Sequence, residues 1–188
     1  TGVEASPVTS ELPPETYLDY ATGEQKNIGD DPKGQGSLSF SQQGDRAVLS
    51  LFCGALSHRS ITLFDFDPCT GEFKHPKVVG GIESEFGGNK SGSFYFRNTY
   101  KAVFSPDGNS IYFNGEAGEF QGAGTLPGQL HYLDISLGSE QLINGSYKTI
   151  TPSFTLGSTY NDMKVGPDGT LYISNYNTGE LFTLSGDL

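Results

Sequence analysis

The chain has no tryptophan, one methionine and two cysteines among its 188 residues. Not every scarcity excludes something: the cysteine count alone decides nothing, since Cys53 and Cys69 could pair or stay free. Cations are scarce too: 11 Lys and Arg stand against 22 Asp and Glu, a formal charge of −11. Nucleic-acid binding needs clustered cations that release counterions from phosphates, so no nucleic-acid partner is expected. The same deficit argues against an anionic membrane surface. No apolar run approaches the roughly 18 residues of a membrane-spanning helix, so no membrane insertion is expected. No charged-then-apolar leader opens the chain, and Thr1-Gly-Val-Glu reads as a mature or trimmed start. Gly-x-Ser-x-Gly, Ser-x-x-Lys and phosphate-loop patterns are missing as well.

What the chain does hold is turn-formers and aromatics. Its 26 glycines and 10 prolines favour many short strands, and 13 phenylalanines with 10 tyrosines supply large buried side chains. No window sustains a helical period. The stretch Ala102–Phe113, AVFSPDGNSIYF, is two β-rich runs around Ser105-Pro106-Asp107-Gly108. Pro presets φ at the first central position, Asp bonds its own backbone, and Gly accepts positive φ, so the stretch predicts a hairpin. The pattern recurs at Met163–Ile173 around Pro167-Asp168-Gly169, and in degenerate form at residues 39–49 around Gln42-Gln43-Gly44.

A second motif alternates with the first. Leu18-Asp19 to Gly23, Ile61–Asp65 to Gly71 and Leu130–Asp134 to Gly138 each read as an apolar strand, an Asp, a Gly-containing turn and a weaker polar strand. The two halves together predict a four-stranded antiparallel unit that buries its faces only by stacking on its neighbours. Such units are propeller blades of about 40 to 50 residues, and a repeat of roughly 60 leaves the surplus for the loops Gly80–Asn98 and Gly115–Gly128. The expected fold class is all-β, with about three blade equivalents, part of a larger or partner-completed propeller because closure takes at least four. The expected layout is a tail at 1–15, then a propeller segment at 16–188. That segment divides into a half-blade at 16–31, blades at 37–79 and 100–150, and a partial blade at 159–188. The competing reading is a β-sandwich with coincidental repeats. Cys53 and Cys69 fall at opposite ends of a hairpin, farther apart than the about 7 Å a disulfide allows, so they are expected not to pair.

AVFSPDGNSIYF and MKVGPDGTLYISNYNTGELFTL resemble the Pro-Asp-Gly repeat propellers: the TolB-type, NHL and gluconolactonase-like families, and the propellers of surface and gliding-associated proteins of Bacteroidetes-type bacteria. The resemblance is strongest to the last group and covers roughly 37–188. It implies an extracellular or cell-surface location, secreted or periplasmic, and speaks to fold more than chemistry, because its motifs are turns. The missing tryptophan removes the Trp-Asp dipeptide of another propeller class.

Asp107 and Asp168 read as turn residues. Asp65 and Asp67 share a strand face and offer a cation two carboxylates, but no loop supplies further ligands. His58, His75 and His131 lack metal-ligand spacing. Asn89 and Asn144 head glycosylation sequons. No cofactor is expected, beyond a divalent cation under the enzyme alternative. In propellers the first strand of each blade lines the channel. An offset of 61 between the two Pro-Asp-Gly turns pairs Thr99-Tyr100-Lys101 with Tyr160-Asn161-Asp162. The expected binding residues at the channel mouth are Arg97, Asn98, Tyr100, Tyr160, Asn161 and Asp162, whose aromatic and amide groups suit carbohydrate or peptide. The expected function is a non-catalytic binding or scaffold module whose partners are the missing blades, from the same parent chain or another protein. The alternatives are a lactonase- or lyase-like enzyme with a channel-bound metal, and a structural subunit of a surface filament.

Overall fold

The computed structural model describes residues 16–19, 24–27, 35–52, 61–79, 96–117, 129–150, 162–175 and 179–184. The described residues form mostly antiparallel sheets, each made of strands in chain order. A two-stranded hairpin pairs β1 (Thr16–Asp19) with β2 (Glu24–Asn27). The second sheet is a four-stranded meander: β3 (Gln35–Phe40), β4 (Arg46–Phe52), β5 (Ile61–Asp67) and β6 (Glu72–Val79). The third sheet repeats it with β7 (Phe96–Phe104), β8 (Ser110–Ala117), β9 (Gln129–Asp134) and β10 (Lys148–Ile150). The fourth holds β11 (Met163–Val165), β12 (Leu171–Ser174) and β13 (Leu181–Leu184). These are the blade-like units that the repeat predicts.

All three first-half turns take one form. Gly44, Gly108 and Gly169 have φ of 73°, 72° and 78°, and each donates its N–H three residues back, to the carbonyls of Ser41, Ser105 and Gly166. Gln42-Gln43 thus occupies the frame of Pro-Asp. There Ser41 Oγ donates to Asp45 Oδ1 at 2.8 Å, where Ser105 Oγ donates to Asp107 Oδ1 at 2.6 Å in the third sheet. Gly166 stands in the serine's place, where a Cβ would lie 2.6 Å from Asp168 Oδ1 and 2.7 Å from the Tyr172 ring. The turns of neighbouring sheets also touch. Gln43 Nε2 donates to the Pro106 carbonyl at 3.3 Å, and the Arg46 guanidinium lies 5.8 Å from the Phe104 ring centroid.

The runs Ala102–Phe104 and Ile111–Phe113 of the third sheet are buried on both faces, which is why they read as continuous apolar runs. Ala102, Phe104, Ile111, Phe113 and Leu133 pack toward Val48, Ile61 and Val79 of the second sheet. The alternate residues Val103 and Tyr112, with Leu130, pack toward Met163, Leu171 and Ile173 of the fourth. A fully buried large apolar side chain contributes about 1.5–3 kcal/mol, so these two layers hold the stack together. β7 runs beside β3 and β4 on one side and β11 on the other.

Two local expectations are corrected. The motif predicts a Gly138 turn after Asp134 and then a weaker polar strand. Instead the chain makes a 3-10 turn (Ile135–Leu137) and a short helix α1 (Glu140–Gly145) before β10. Asp134 Oδ1 accepts from Ser136 N–H and Oγ at 3.0 and 2.6 Å, Ser139 caps the helix by accepting from Leu142 N–H, and fully buried Ile143 docks it on the core. The helix is too short for a periodicity to show. The long loop expected to run to Asn98 also ends earlier, because β7 already begins at Phe96.

The Cys69 thiol is free and exposed in the β5–β6 turn, past the end of β5 that pairs with the start of β4. Cys53, His58 and Asn89 lie outside the described residues. Asn144 sits in α1, and the hydroxyl of its sequon partner Ser146 donates to the Ile143 carbonyl at 2.6 Å.

Candidate functional site: the groove between the first strands

The first strands of three successive sheets, β3, β7 and β11, flank a groove of about 530 Å³. Its apolar walls are Val103 and Val165, β3 borders it at Leu38–Phe40, and its charges are Lys101, Asp162 and Lys164. Lys101 Nζ lies 3.4 Å from Asp162 Oδ1. The two side chains differ in freedom: Lys101 is 26% exposed and Asp162 76%.

Both residues are held by backbone bonds. Asn114, buried in β8, accepts from the Lys101 N–H at 3.0 Å through Oδ1. Asp162 accepts from Met163 N–H at 3.0 Å, and its carbonyl takes the Ser174 N–H at 2.9 Å, which fixes it at the start of β11. Just before Lys101 the β7–β8 register shifts. Arg97 pairs with Glu116 and Lys101 with Asn114, so residues 98–100 stand opposite Gly115 alone. Irregularities of this kind redirect a strand at sheet rims and binding sites.

Of the six residues expected at the mouth, Arg97, Asn98 and Tyr100 therefore fall within β7, at and beside this irregularity, rather than in a loop before it. Asp162 stands on the groove. Tyr160 and Asn161 lie outside the described residues. Lys101 was not among the six. Its signal was its position, since the 61-residue offset places it at the same point of its unit as Asp162.

The other candidates are taken up elsewhere. The Asp107 carboxyl is held below the usual carboxylate range by the Ser105 hydroxyl and then by the Asn109 N–H. Asp168 is lowered by the Thr170 N–H and then by the Tyr172 phenol, which donates to it at 2.8 Å. Asp65 and Asp67 do not act as a pair. Asp65 Oδ2 meets His75 Nδ1 at 2.7 Å, whereas Asp67 accepts from Cys69 N–H, Thr70 N–H and Lys74 Nζ. His131 is fully buried, with Nδ1 2.7 Å from the Tyr147 hydroxyl and its ring stacked on Tyr147. Burial pushes the Tyr147 phenol up. Among the described residues no group of three or more His, Cys, Asp or Glu side chains is arranged to hold a metal ion.

No protein-family model matches the chain, and no curated protein matches it. Solved structures do. Hydrazine synthase of Kuenenia stuttgartiensis, which contains propeller domains, is similar over 89% of this chain and 45% of its own, with 15% identity and a TM-score of 0.51. TolB of Acinetobacter baumannii is similar over 89% of this chain and 36% of its own, with 21% identity and a TM-score of 0.39. The chain spans less than half the length of either. At such identity the first likeness speaks for the fold alone: propeller blades.

Proposed function

We propose that this chain is a segment of a β-propeller that works as a non-catalytic binding or scaffold module at the cell surface or outside the cell. A carbohydrate or peptide ligand is received in the groove between β3, β7 and β11. The observation that carries this reading is the groove itself. It joins apolar walls to a Lys101–Asp162 pair whose carboxylate faces solvent, so a ligand can exchange for one partner at little cost. The location rests on the resemblance to Pro-Asp-Gly surface propellers.

The missing blades are the proposed partner. The face of the second sheet turned away from the third carries Leu38 and Phe40, 44% and 46% exposed, beside the Phe66 and Phe73 rings. The face of the fourth sheet turned away from the third is more polar, with Lys164, Tyr172, Ser174 and Thr183 beside one exposed leucine, Leu181. An aromatic face at one end of a stack suits a further sheet.

Two measurements test the reading. Native mass by light scattering should exceed that of the 20.1 kDa chain. A monodisperse monomer that melts cooperatively overturns partner completion. Glycan and peptide arrays should give ligands whose binding is lost in Lys101→Met/Asp162→Ala. Ligands bound equally well by that variant would move the site elsewhere.

A further inference from the structure

A second cleft, of about 510 Å³, lies between the third and fourth sheets on the side of the Pro-Asp-Gly turns. Its two walls differ in chemistry. The wall from the third sheet is polar: Asp107, Tyr132 and Asp134 reach it, with Asn109, Ser110 and Ser136 around them. The wall from the fourth is apolar, made by Val165, Leu171 and Leu184.

The polar wall is rigid before any ligand arrives. The Asn109 carbonyl accepts from both Ile135 N–H and Ser136 N–H, at 2.9 and 3.2 Å, and ties the two turns together. Asp134 spends Oδ1 on the N–H and hydroxyl of Ser136, so Oδ2 accepts nothing from the described residues. Tyr132 Oη accepts from Ser110 Oγ at 2.9 Å, which leaves its own O–H to donate. A fixed acceptor and a fixed donor on one wall match the hydroxyl groups of a sugar, each of which can donate and accept. An apolar wall opposite matches the C–H face of a sugar ring.

We propose that this cleft is a subsite for one neutral pyranose ring. Its hydroxyls meet Asp134 and Tyr132, and its C–H face lies on Val165 and Leu184. Two carboxylates exclude acidic sugars by repulsion. An organic ammonium is disfavoured because the Lys148 ammonium, 5.7 Å from the Tyr132 ring centroid, sets a like charge near it.

The test is amide NMR on the full chain with methyl glycosides of glucose, galactose and mannose, and choline chloride as the competing chemistry. At least one glycoside should give saturable shifts at Asn109, Ser110, Asp134 and Ser136. Asp134→Asn keeps a carbonyl oxygen for the Ser136 bonds but removes the open carboxylate oxygen, and should weaken binding about tenfold. Leu184→Asp should abolish binding while leaving the β7–β8 amides in place. No saturable shift with any glycoside, shifts reproduced by choline, shifts confined to the β3–β7–β11 groove, or undiminished affinity in Asp134→Asn each overturn the subsite.

Discussion

Lys101 and Asp162 occupy equivalent positions in successive blades, and their side chains meet at 3.4 Å across the groove between them. A chain with twice as many acids as bases has placed one of its few lysines there. With Asp162 mostly exposed, water screens the pair, and its Coulomb gain barely exceeds the entropy of holding both side chains. Lys101→Met and Asp162→Asn should each change unfolding free energy by less than about 1 kcal/mol in urea denaturation. A loss several times larger would make the pair a structural strut rather than a ligand-facing one.

The three turn glycines should not respond equally to alanine. Each has positive φ, which costs a Cβ-bearing residue about 1–2 kcal/mol. At Gly44 nothing lies within 4 Å of an added Cβ, so that cost stands alone. At Gly108 the Cβ would lie 2.6 Å from the Arg46 guanidinium, which must move off the Phe104 ring. Gly108→Ala should therefore destabilise more than Gly44→Ala, by about 0.5–1 kcal/mol, the usual size of an exposed cation–π contact. Equal thermal shifts would show that Arg46 swings aside freely.

Core truncations should separate the docked helix from its exposed face. Phe113→Ala opens a cavity where Phe113 packs against the His131 ring and should cost about 3–5 kcal/mol. Ile143→Ala should cost about 2–5 kcal/mol, because this side chain seats α1 on the core. Leu142, 56% exposed on the same helix, should tolerate alanine within about 0.5 kcal/mol. Comparable losses at positions 142 and 143 would mean the helix is not docked as described.

Acid should unfold the chain through its turns. Asp67, Asp107 and Asp168 are all lowered by hydrogen bonds to the carboxylate, from Cys69 N–H, Ser105 hydroxyl and Thr170 N–H first in each case. A lowered folded value means the stabilisation is complete above the unfolded value, about 3.9, and is lost as pH falls through the folded value. The urea midpoint should therefore hold between pH 5 and 7 and fall below about pH 4. Asp107→Ala should lower the plateau and flatten the fall. An unchanged acid limb in that variant would place the titrating groups elsewhere.

In alkali the tyrosines act with the opposite sign. Burial raises Tyr112 and Tyr147, so their contribution is complete below the unfolded value of about 10 and is lost as pH rises above it. Tyr147→Phe should blunt the loss of stability above pH 10, as followed by circular dichroism, and an unchanged alkaline limb would assign the loss to other groups.

The sequence by itself determined the turns and, through them, the repeated sheet. Pro106-Asp107-Gly108 and Pro167-Asp168-Gly169 act within five residues: a preset φ, a carboxylate bonded to its own backbone, and a positive φ at Gly. Even the Gln42-Gln43-Gly44 copy was legible, because its glycine and its Ser41–Asp45 bond survive the loss of proline. Helix α1 was not, since its one buried anchor, Ile143, is set by the floor of another sheet rather than by a period. The groove was half legible. The repeat offset marks Lys101 and Asp162 as equivalent, but the register shift before Lys101 and the approach of β7 to β11 bring them into contact. The second cleft owes still more to tertiary structure, because its polar and apolar walls come from different sheets. Local bonds are encoded within a few residues; the spacing between stacked sheets is a sum over all the side chains that fill it.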